Sequence, residues 1–175
     1  MSEYESFCIY GFCTVCPVTW KVELNSKSDR SEGDVAFKSP EKVNIFLGWG
    51  PLKKAEKRYS SLEEHVKDSL NRIKKNQGVK DIELVQSKVV QIGSHKAIFS
   101  HAKVILSKLT LLPFTKAKTY EREVRSMHLY CKSSGRYFAL FGEVTSDKTL
   151  EHGEVFENMI KSFTCHKAKA NSANP

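Results

Sequence analysis

The sequence predicts an α+β protein in which an antiparallel β-sheet is flanked by helices on both faces. Segments in which apolar and polar residues alternate, as in strands, dominate the 175-residue chain. The first of them are joined by connections too short for a parallel crossover, which favours antiparallel pairing. Two further segments carry apolar residues at helical spacing, and such helices would cover the faces of the sheet.

The N-terminal half contains the first three predicted strands. The first spans residues 18–24, the second begins at Val35 and stops before Ser39-Pro40, and the third covers residues 43–47 and ends at Gly48-Trp49-Gly50-Pro51. Each has alternating apolar residues and is bounded by polar residues, glycine or proline.

A helix is predicted over residues 61–77. Ser61 and Glu64 form a capping box, in which the serine accepts a backbone N–H and the glutamate reaches back towards the cap. Apolar residues then follow at helical spacing: Leu62, Val66, Leu70 and Ile73. Gly78 is expected to end the helix in a left-handed conformation.

The rest of the chain is expected to form strands and a closing helix. Its segments rich in β-branched and aromatic residues are 82–84, 89–92, 97–106, 120–131 and 137–144. Gly93-Ser94 and Ser133-Ser134-Gly135 are typical of hairpin turns. Residues 149–163 predict an amphipathic helix, although Gly153 weakens it.

The order of these elements resembles the PsbP-like family. The resemblance covers residues 17–165 and is carried by four pieces: Phe37-Lys38-Ser39-Pro40, Val43-Asn44-Ile45-Phe46, the helix 61–77 and Ile160-Lys161-Ser162-Phe163. It implies an α/β/α sandwich, as in the PsbP subunits of photosystem II, the Ran-release factor of nuclear transport and small prokaryotic proteins. It also implies binding of other macromolecules without a shared catalytic centre. The sequence contains no motif of the family from which a particular site residue could be assigned, and a shared fold does not establish a shared function.

The sequence predicts three regions of the chain. Residues 1–16 form a Cys-rich segment packed on the domain, residues 17–166 form one domain, and residues 167–175 are expected to be a flexible tail. The N-terminus lacks a basic start followed by a long apolar run, which predicts a soluble protein of the cytoplasm. An odd number of cysteines, five, argues against a secreted disulfide framework.

Positive charge is concentrated in the middle of the chain. The net charge is +8, and residues 53–80 carry nine basic and four acidic side chains. This excess favours an acidic partner, either protein or nucleic acid, although it is also compatible with a solvated lysine-rich surface. The candidate contact residues in this stretch are Lys53, Lys54, Lys57, Arg58, Lys74 and Lys75. No RNA- or DNA-binding signature accompanies them.

A second candidate contact is the apolar stretch 109–114, which is flanked by lysines. Leu111, Leu112 and Phe114 could dock into a partner or an anionic membrane surface, or could fold back over the end of the sheet. Pro113 excludes the stretch from a central strand.

Three N-terminal cysteines could bind a metal. Cys8, Cys13 and Cys16 have a spacing that fits zinc or an iron–sulfur cluster, with Cys131 or Cys165 as a fourth ligand and Cys165-His166 able to complete a zinc site. They could equally form a disulfide or act as small apolar residues among Phe7, Ile9 and Phe12. Apart from possible zinc, no cofactor is predicted.

The sequence therefore favours a non-enzymatic binding module whose partner is a protein. A metal-binding or redox protein that uses the N-terminal cysteines is the alternative, and binding of nucleic acid through the basic surface is a second. The six histidines are scattered, and no nucleophile motif or carboxylate pair indicates catalysis. No small-molecule substrate is indicated.

Overall fold

A computed structural model of the chain describes residues 3–107, 119–145 and 149–166. Strands and helices follow one another in this part of the chain with these bounds: β1 Tyr4–Ile9, β2 Phe12–Pro17, β3 Lys21–Leu24, β4 Gly33–Lys38, β5 Asn44–Pro51, α1 Leu52–Arg58, α2 Leu62–Lys74, β6 Val79–Ile92, β7 His95–Ser107, β8 Thr119–Cys131, β9 Arg136–Thr145 and α3 Thr149–Ser162.

The main sheet contains seven of these strands in the order β3-β4-β5-β9-β8-β7-β6. All of its neighbouring strands are antiparallel. The central contact between β5 and β9 joins the first three strands of the sheet to the last four, so both halves of the chain share one hydrophobic core. The predicted α+β class with an antiparallel sheet is confirmed.

Helices cover both faces of this sheet, as two consecutive residues of β7 demonstrate. Ile98 packs with Leu62 and Val66 of α2. The side chain of the next residue, Phe99, points to the opposite face because side chains alternate along a strand. There its ring centroid lies 6.3 Å from that of Phe156 in α3. The predicted α/β/α sandwich is therefore confirmed.

An N-terminal hairpin, β1–β2, packs on the same face as α3. Phe12 of β2 is fully buried, and its ring contacts those of Trp49, Phe138 and Phe163 at centroid distances of 5.0, 5.4 and 6.3 Å. Backbone N–H groups of Cys13 and Thr164 each donate to the carbonyl of the other at 2.9 Å. The sequence predicted a Cys-rich segment here but not that it forms two strands.

The boundaries of several strands differ from the predicted ones. Strand β3 begins at Lys21 because residues 17–20 form a turn, closed by a hydrogen bond of 2.9 Å from the Trp20 N–H to the Pro17 carbonyl. Val18 is 45% exposed, so this apolar residue does not mark a buried position of a strand. Segments 82–84 and 89–92 belong to the single strand β6, which continues through an irregularity near Leu84.

Helix α2 begins as predicted, with its Ser61 hydroxyl accepting a hydrogen bond of 3.2 Å from the Glu64 N–H. The Glu64 carboxylate, however, accepts from the N–H and hydroxyl of Ser60, one residue before the cap. The helix ends at Lys74, earlier than expected, and Gly78 lies in the following turn with a φ of 86°. Helix α1 was not predicted, because only Leu52 and Ala55 of its seven residues are buried.

Candidate functional site

The basic residues of α1 form an exposed surface on a short helix. Leu52 and Ala55 anchor the helix to the protein, and Lys53, Lys54, Lys57 and Arg58 are exposed. The helix starts directly after β5, and the Leu52 N–H donates to the Gly135 carbonyl at 2.8 Å. The lysines therefore stand on a helix fixed to the central strands β5 and β9.

Two of these four cations have a carboxylate partner. Lys54 Nζ lies 3.2 Å from a Glu32 oxygen, and Arg58 Nη2 lies 3.6 Å from Asp68 Oδ2. Within the described part of the chain, neither Lys53 nor Lys57 has a carboxylate oxygen within ion-pair distance. Exposed ion pairs of this kind contribute little to stability, so the surface remains available to an acidic partner.

Lys74 and Lys75 lie at the far end of α2 from α1. The helix has 13 residues, so about 20 Å separates its two ends. Arg72 lies between α1 and the end of α2 that carries Lys74 and Lys75. Its Nη2 atom is 2.9 Å from Asp68 Oδ2, and Nη2 of Arg58, at the end of α1, is 3.6 Å from the same oxygen. The structure therefore arranges the charges as an elongated surface, which we call the cationic band: Lys53, Lys57, Arg58, Arg72 and Lys75.

A hydrogen-bonded network lies beneath the band. The Tyr59 hydroxyl donates to Asp68 Oδ2 at 2.7 Å and accepts from Arg72 Nη2 at 2.8 Å. The Tyr59 ring stacks on that of His65, with centroids 4.3 Å apart. His65 Nδ1 is 3.1 Å from the Tyr130 hydroxyl of β8. The two helices and the sheet are thus connected directly below the exposed cations.

Two histidines below the band are neutral because they are buried. Desolvation, reinforced by the nearby Arg72 guanidinium, lowers the pKa of His65 to about 4. Desolvation lowers the pKa of His128 to about 3, and His65 adds a smaller effect. His128 Nε2 is 3.2 Å from the Ser69 hydroxyl. His101 lies on the other face of the sheet, where its Nε2 atom is 3.0 Å from Glu123 Oε2.

The other predicted contact residues, Leu111, Leu112 and Phe114, lie outside the described residues, as does the predicted tail 167–175. Their role stays a prediction from sequence. Within the described residues, no helix combines the length and apolar character needed to cross a lipid bilayer.

The three N-terminal cysteines are not assembled as metal ligands. Cys8 and Cys13 face each other across the β1–β2 hairpin and form a disulfide, so neither sulfur is available as a thiolate ligand. Cys16 is a free thiol buried in the hydrophobic core, and burial raises its pKa. Cys16 thus behaves as the small apolar residue that the sequence analysis also considered.

A different set of cysteines and histidines comes together at one end of the sheet. Cys131 ends β8, His95 begins β7, and Cys165 and His166 follow α3. One nitrogen or sulfur atom from each of the four lies within 4.8 Å of all the others. Both cysteines are buried and both histidines are half-buried, so the cluster lies just below the surface.

Hydrogen-bond distances define the cluster. Cys131 Sγ lies 3.3 Å from His166 Nδ1 and 3.8 Å from His95 Nε2, and Cys165 Sγ lies 3.2 Å from His166 Nδ1. Burial, together with the hydrogen bond to Cys131, raises the pKa of Cys165 to about 12. Desolvation lowers the pKa of His95. In the absence of a cation, these groups are therefore stabilised as a neutral thiol and a neutral imidazole.

Further groups surround the cluster. The Ser134 N–H, in the β8–β9 turn, donates to Cys131 Sγ at 3.4 Å. The buried Arg136 guanidinium lies over the rings of Phe12 and Phe138 and donates to the Cys165 carbonyl at 3.5 Å. A cleft of about 1010 Å³ opens beside it, lined by residues that include Tyr10, Arg30, Arg136 and His166.

The sequence analysis named Cys131, Cys165 and His166 alongside the N-terminal cysteines, whereas the structure brings these three residues together with His95. The information that the sequence analysis lacked was the register between strands β7 and β8. In the β7–β8 pair Ala97 is opposite Leu129, so two residues further along His95 lies next to Cys131. His95 directly follows one predicted turn and Cys131 lies two residues before the other, which would have placed both residues at the same end of the sheet.

Comparison with solved structures places the fold among known ones. The chain is similar to the cyanobacterial PsbP (CyanoP) of Synechocystis sp. PCC 6803, with a TM-score of 0.57, 10% identity and coverage of 94% of this chain and 93% of that one. It is also similar to the Ran-binding protein Mog1p of Saccharomyces cerevisiae, with a TM-score of 0.56, 10% identity and coverage of 94% and 96%.

A third similar structure is PA94 of Pseudomonas aeruginosa, a protein of unknown function, with a TM-score of 0.52, 8% identity and coverage of 95% and 99%. The resemblance to the PsbP-like fold noted in the sequence is therefore confirmed. The sequence matches no protein-family model and no curated protein. At these identities the likeness establishes the fold alone.

Proposed function

We propose that this protein is a non-enzymatic binding module that docks an acidic surface of a partner protein through the cationic band. The observation that carries the proposal is the pair Lys53 and Lys57, two exposed lysines on one short helix without a carboxylate at ion-pair distance among the described residues. Charges of this kind steer association with an oppositely charged surface.

Two further observations support a binding surface here. The cations are held on a fixed scaffold, because α1 is connected to α2 by Tyr59 and Asp68, so little ordering is required when a partner binds. One of the similar structures, Mog1p, is itself a Ran-binding protein. The cytoplasmic location predicted from the sequence stays a prediction.

The test compares two double variants with the same change in charge. Lys53→Glu/Lys57→Glu alters the cationic band. Lys27→Glu/Lys132→Glu is the control, since both lysines are exposed in loops outside the band. Each immobilised protein is exposed to nuclease-treated native lysate, and retained proteins are quantified by mass spectrometry. We expect a defined partner retained by the wild type and the control and reduced at least about tenfold by the band variant, a loss of about 1.4 kcal/mol or more.

Three results would contradict the proposal. Equal loss with both variants would indicate unspecific attraction to a positively charged protein. Retention from a parallel untreated lysate but not from the nuclease-treated one would favour the nucleic-acid alternative, whose binding also falls steeply with salt. Absence of any retained protein above the level of the band variant would exclude this surface as a protein-binding site.

A further inference from the structure

We propose that His95, Cys131, Cys165 and His166 form a structural zinc site. These four residues supply two sulfur and two nitrogen ligands, the set found in closed tetrahedral zinc sites of proteins. The inference is independent of the cationic band, from which it differs in residues, location and chemistry.

Three of the six distances between the ligand atoms are close to those that a tetrahedral ion requires. With Zn–S of about 2.3 Å and Zn–N of about 2.0 Å, neighbouring ligand atoms in a tetrahedron lie roughly 3.3–3.8 Å apart. Three of the four sulfur–nitrogen distances of the cluster are 3.2, 3.3 and 3.8 Å, and all four ligand atoms lie within 4.8 Å of one another. Little movement of the side chains would be needed to place one ion between them.

The chemistry of the ligands selects among metals. Two thiolates and two imidazoles favour zinc, whereas Mg²⁺ and Ca²⁺ require oxygen ligands. Binding converts the two thiols to thiolates and releases two protons to solvent, and the two negative charges then balance those of Zn²⁺. With four protein ligands no position remains open for water or substrate, so the role assigned to the ion is structural.

The groups around the cluster suit the bound ion. The hydrogen bond from the Ser134 N–H stabilises the sulfur of Cys131 as a thiolate. Arg136, buried between Phe12 and Phe138, fixes the backbone of Cys165 through its carbonyl. Both ligating cysteines are buried, which protects the metal–sulfur bonds from solvent.

The location of the site explains what the ion would stabilise. His95 and Cys131 belong to adjacent strands of the sheet, whereas Cys165 and His166 belong to the segment that leaves α3. That segment also pairs with the N-terminal hairpin through Thr164 and Cys13. One ion would therefore connect the sheet, the end of α3 and, through this pairing, the hairpin, and would shape one wall of the neighbouring cleft.

The experiment measures binding of zinc to the full chain under reducing conditions. The apoprotein is prepared with a chelator and titrated with Zn²⁺ against a competing chromophoric chelator. We expect about one zinc per chain and release of about two protons. Saturation at 100 times Kd should raise the melting temperature by roughly 5–10 °C, because zinc binds the folded state alone. Cobalt in place of zinc should show the strong visible absorption of a tetrahedral site with sulfur-to-metal charge transfer.

Variants assign the site to these residues. Cys165→Ser and Cys131→Ser should each weaken zinc binding at least about 100-fold, whereas Cys16→Ser, which changes another buried free thiol, should leave it unchanged. A Cys8→Ser/Cys13→Ser variant should also retain the zinc. Circular dichroism of each variant checks that it is folded.

Alkylation of the cysteines in the wild-type chain tests the site without requiring that any variant folds. Bound zinc should slow alkylation of Cys131 and Cys165, located by mass spectrometry, and leave alkylation of Cys16 unaffected. The inference is overturned if the reduced apoprotein binds no zinc at micromolar concentration. It is also overturned if the Cys8→Ser/Cys13→Ser variant loses the ion while Cys131→Ser and Cys165→Ser keep it, or if Cys131 and Cys165 form a disulfide that only strong reductant opens.

Discussion

The hydroxyl of Tyr59 donates a hydrogen bond of 2.7 Å to Oδ2 of Asp68 and thereby joins the end of α1 to the middle of α2. The same hydroxyl accepts from Arg72 at 2.8 Å. A helix of seven residues is too short to be stable by itself, so contacts of this kind determine where its lysines are held. Tyr59 is buried, yet its hydroxyl connects two charged residues of the surface above it, Asp68 and Arg72.

We predict that Tyr59→Phe lowers the free energy of unfolding by about 1 kcal/mol. The ring and its stacking on His65 remain, whereas two hydrogen bonds to charged groups are lost. Water can solvate Asp68 and Arg72 after the change, since both are partly exposed, and this limits the loss. Unfolding in urea, followed by circular dichroism, measures the difference.

A double-mutant cycle isolates the hydrogen bond from the remaining effects of the substitution. Tyr59→Phe and Asp68→Asn should show a coupling energy of at least about 0.5 kcal/mol. Strictly additive losses would mean that the Tyr59–Asp68 contact contributes nothing to the positioning of α1.

The pH dependence of stability should reveal the two neutral histidines below the band. In the unfolded chain a histidine has an ordinary pKa of about 6.5, whereas the folded values are about 4 for His65 and about 3 for His128. Below pH 6.5 the unfolded state therefore binds more protons than the folded state, and stability falls with falling pH. Each histidine contributes up to roughly 1.4 kcal/mol per pH unit until its folded pKa is reached.

We expect the free energy of unfolding to decrease steadily from pH 6.5 towards pH 4, as measured by urea titration at several pH values. His65→Gln, which cannot titrate, should reduce the slope in this range by up to roughly 1.4 kcal/mol per pH unit, and His128 and His95, whose pKa values are also lowered, should account for part of the remaining slope. A slope that is the same in the variant and the wild type would show that His65 is protonated in the folded protein.

Much of the fold could be predicted from local patterns because these patterns reflect burial on one face. The alternation in β7, β8 and β9 and the stripe of α3 indicated the correct elements. Helix α1 was missed because two buried residues, Leu52 and Ala55, do not establish a helical period. The predicted start of β3 at residue 18 was wrong because Val18 alternates with its neighbours yet lies exposed in a turn.

The candidate sites depended on information that is not local. The charges of Lys53 and Lys57 could be identified from the sequence, but the lack of a carboxylate near them among the described residues depends on where Glu32 and Asp68 lie in the fold. The cysteine–histidine cluster unites residues from positions 95 to 166: strand register brings His95 next to Cys131, and the packing of the segment after α3 adds Cys165 and His166. Close spacing drew attention to Cys8, Cys13 and Cys16, two of which form a disulfide across a hairpin.

The contact between β9 and α3 predicts a further substitution effect, at Gly142. A Cβ atom at this position would lie 2.9 Å from a ring carbon of Phe156, which is itself fully buried. Gly142→Ala should therefore destabilise the protein by about 1–3 kcal/mol through overpacking. Gly48→Ala is a matched control in the sheet, because the nearest atom to its Cβ would be a carbonyl oxygen at 3.9 Å. Thermal unfolding should show a lower melting temperature for the first variant alone.

The N-terminal hairpin is predicted to be an integral part of the core. Phe12 is fully buried among aromatic rings of the sheet and of the segment after α3. Phe12→Ala should lower the free energy of unfolding by about 3–5 kcal/mol, the usual cost of removing a buried phenylalanine ring. Phe46→Ala, at a phenylalanine that is 43% exposed on the opposite face of β5, should cost much less.

The same pair of variants tests how the hairpin is coupled to the rest of the protein. Urea unfolding of Phe12→Ala should remain a single transition, because the hydrogen bonds between Cys13 and Thr164 connect the hairpin to the segment after α3. Proteolysis in native buffer should not release residues 1–17 before the core is digested. A separate early transition, or a loss no larger than that of Phe46→Ala, would mean that the hairpin rests on the sheet without contributing to its stability. The cleft bordered by Tyr10 and His166 would then change shape whenever the hairpin detached.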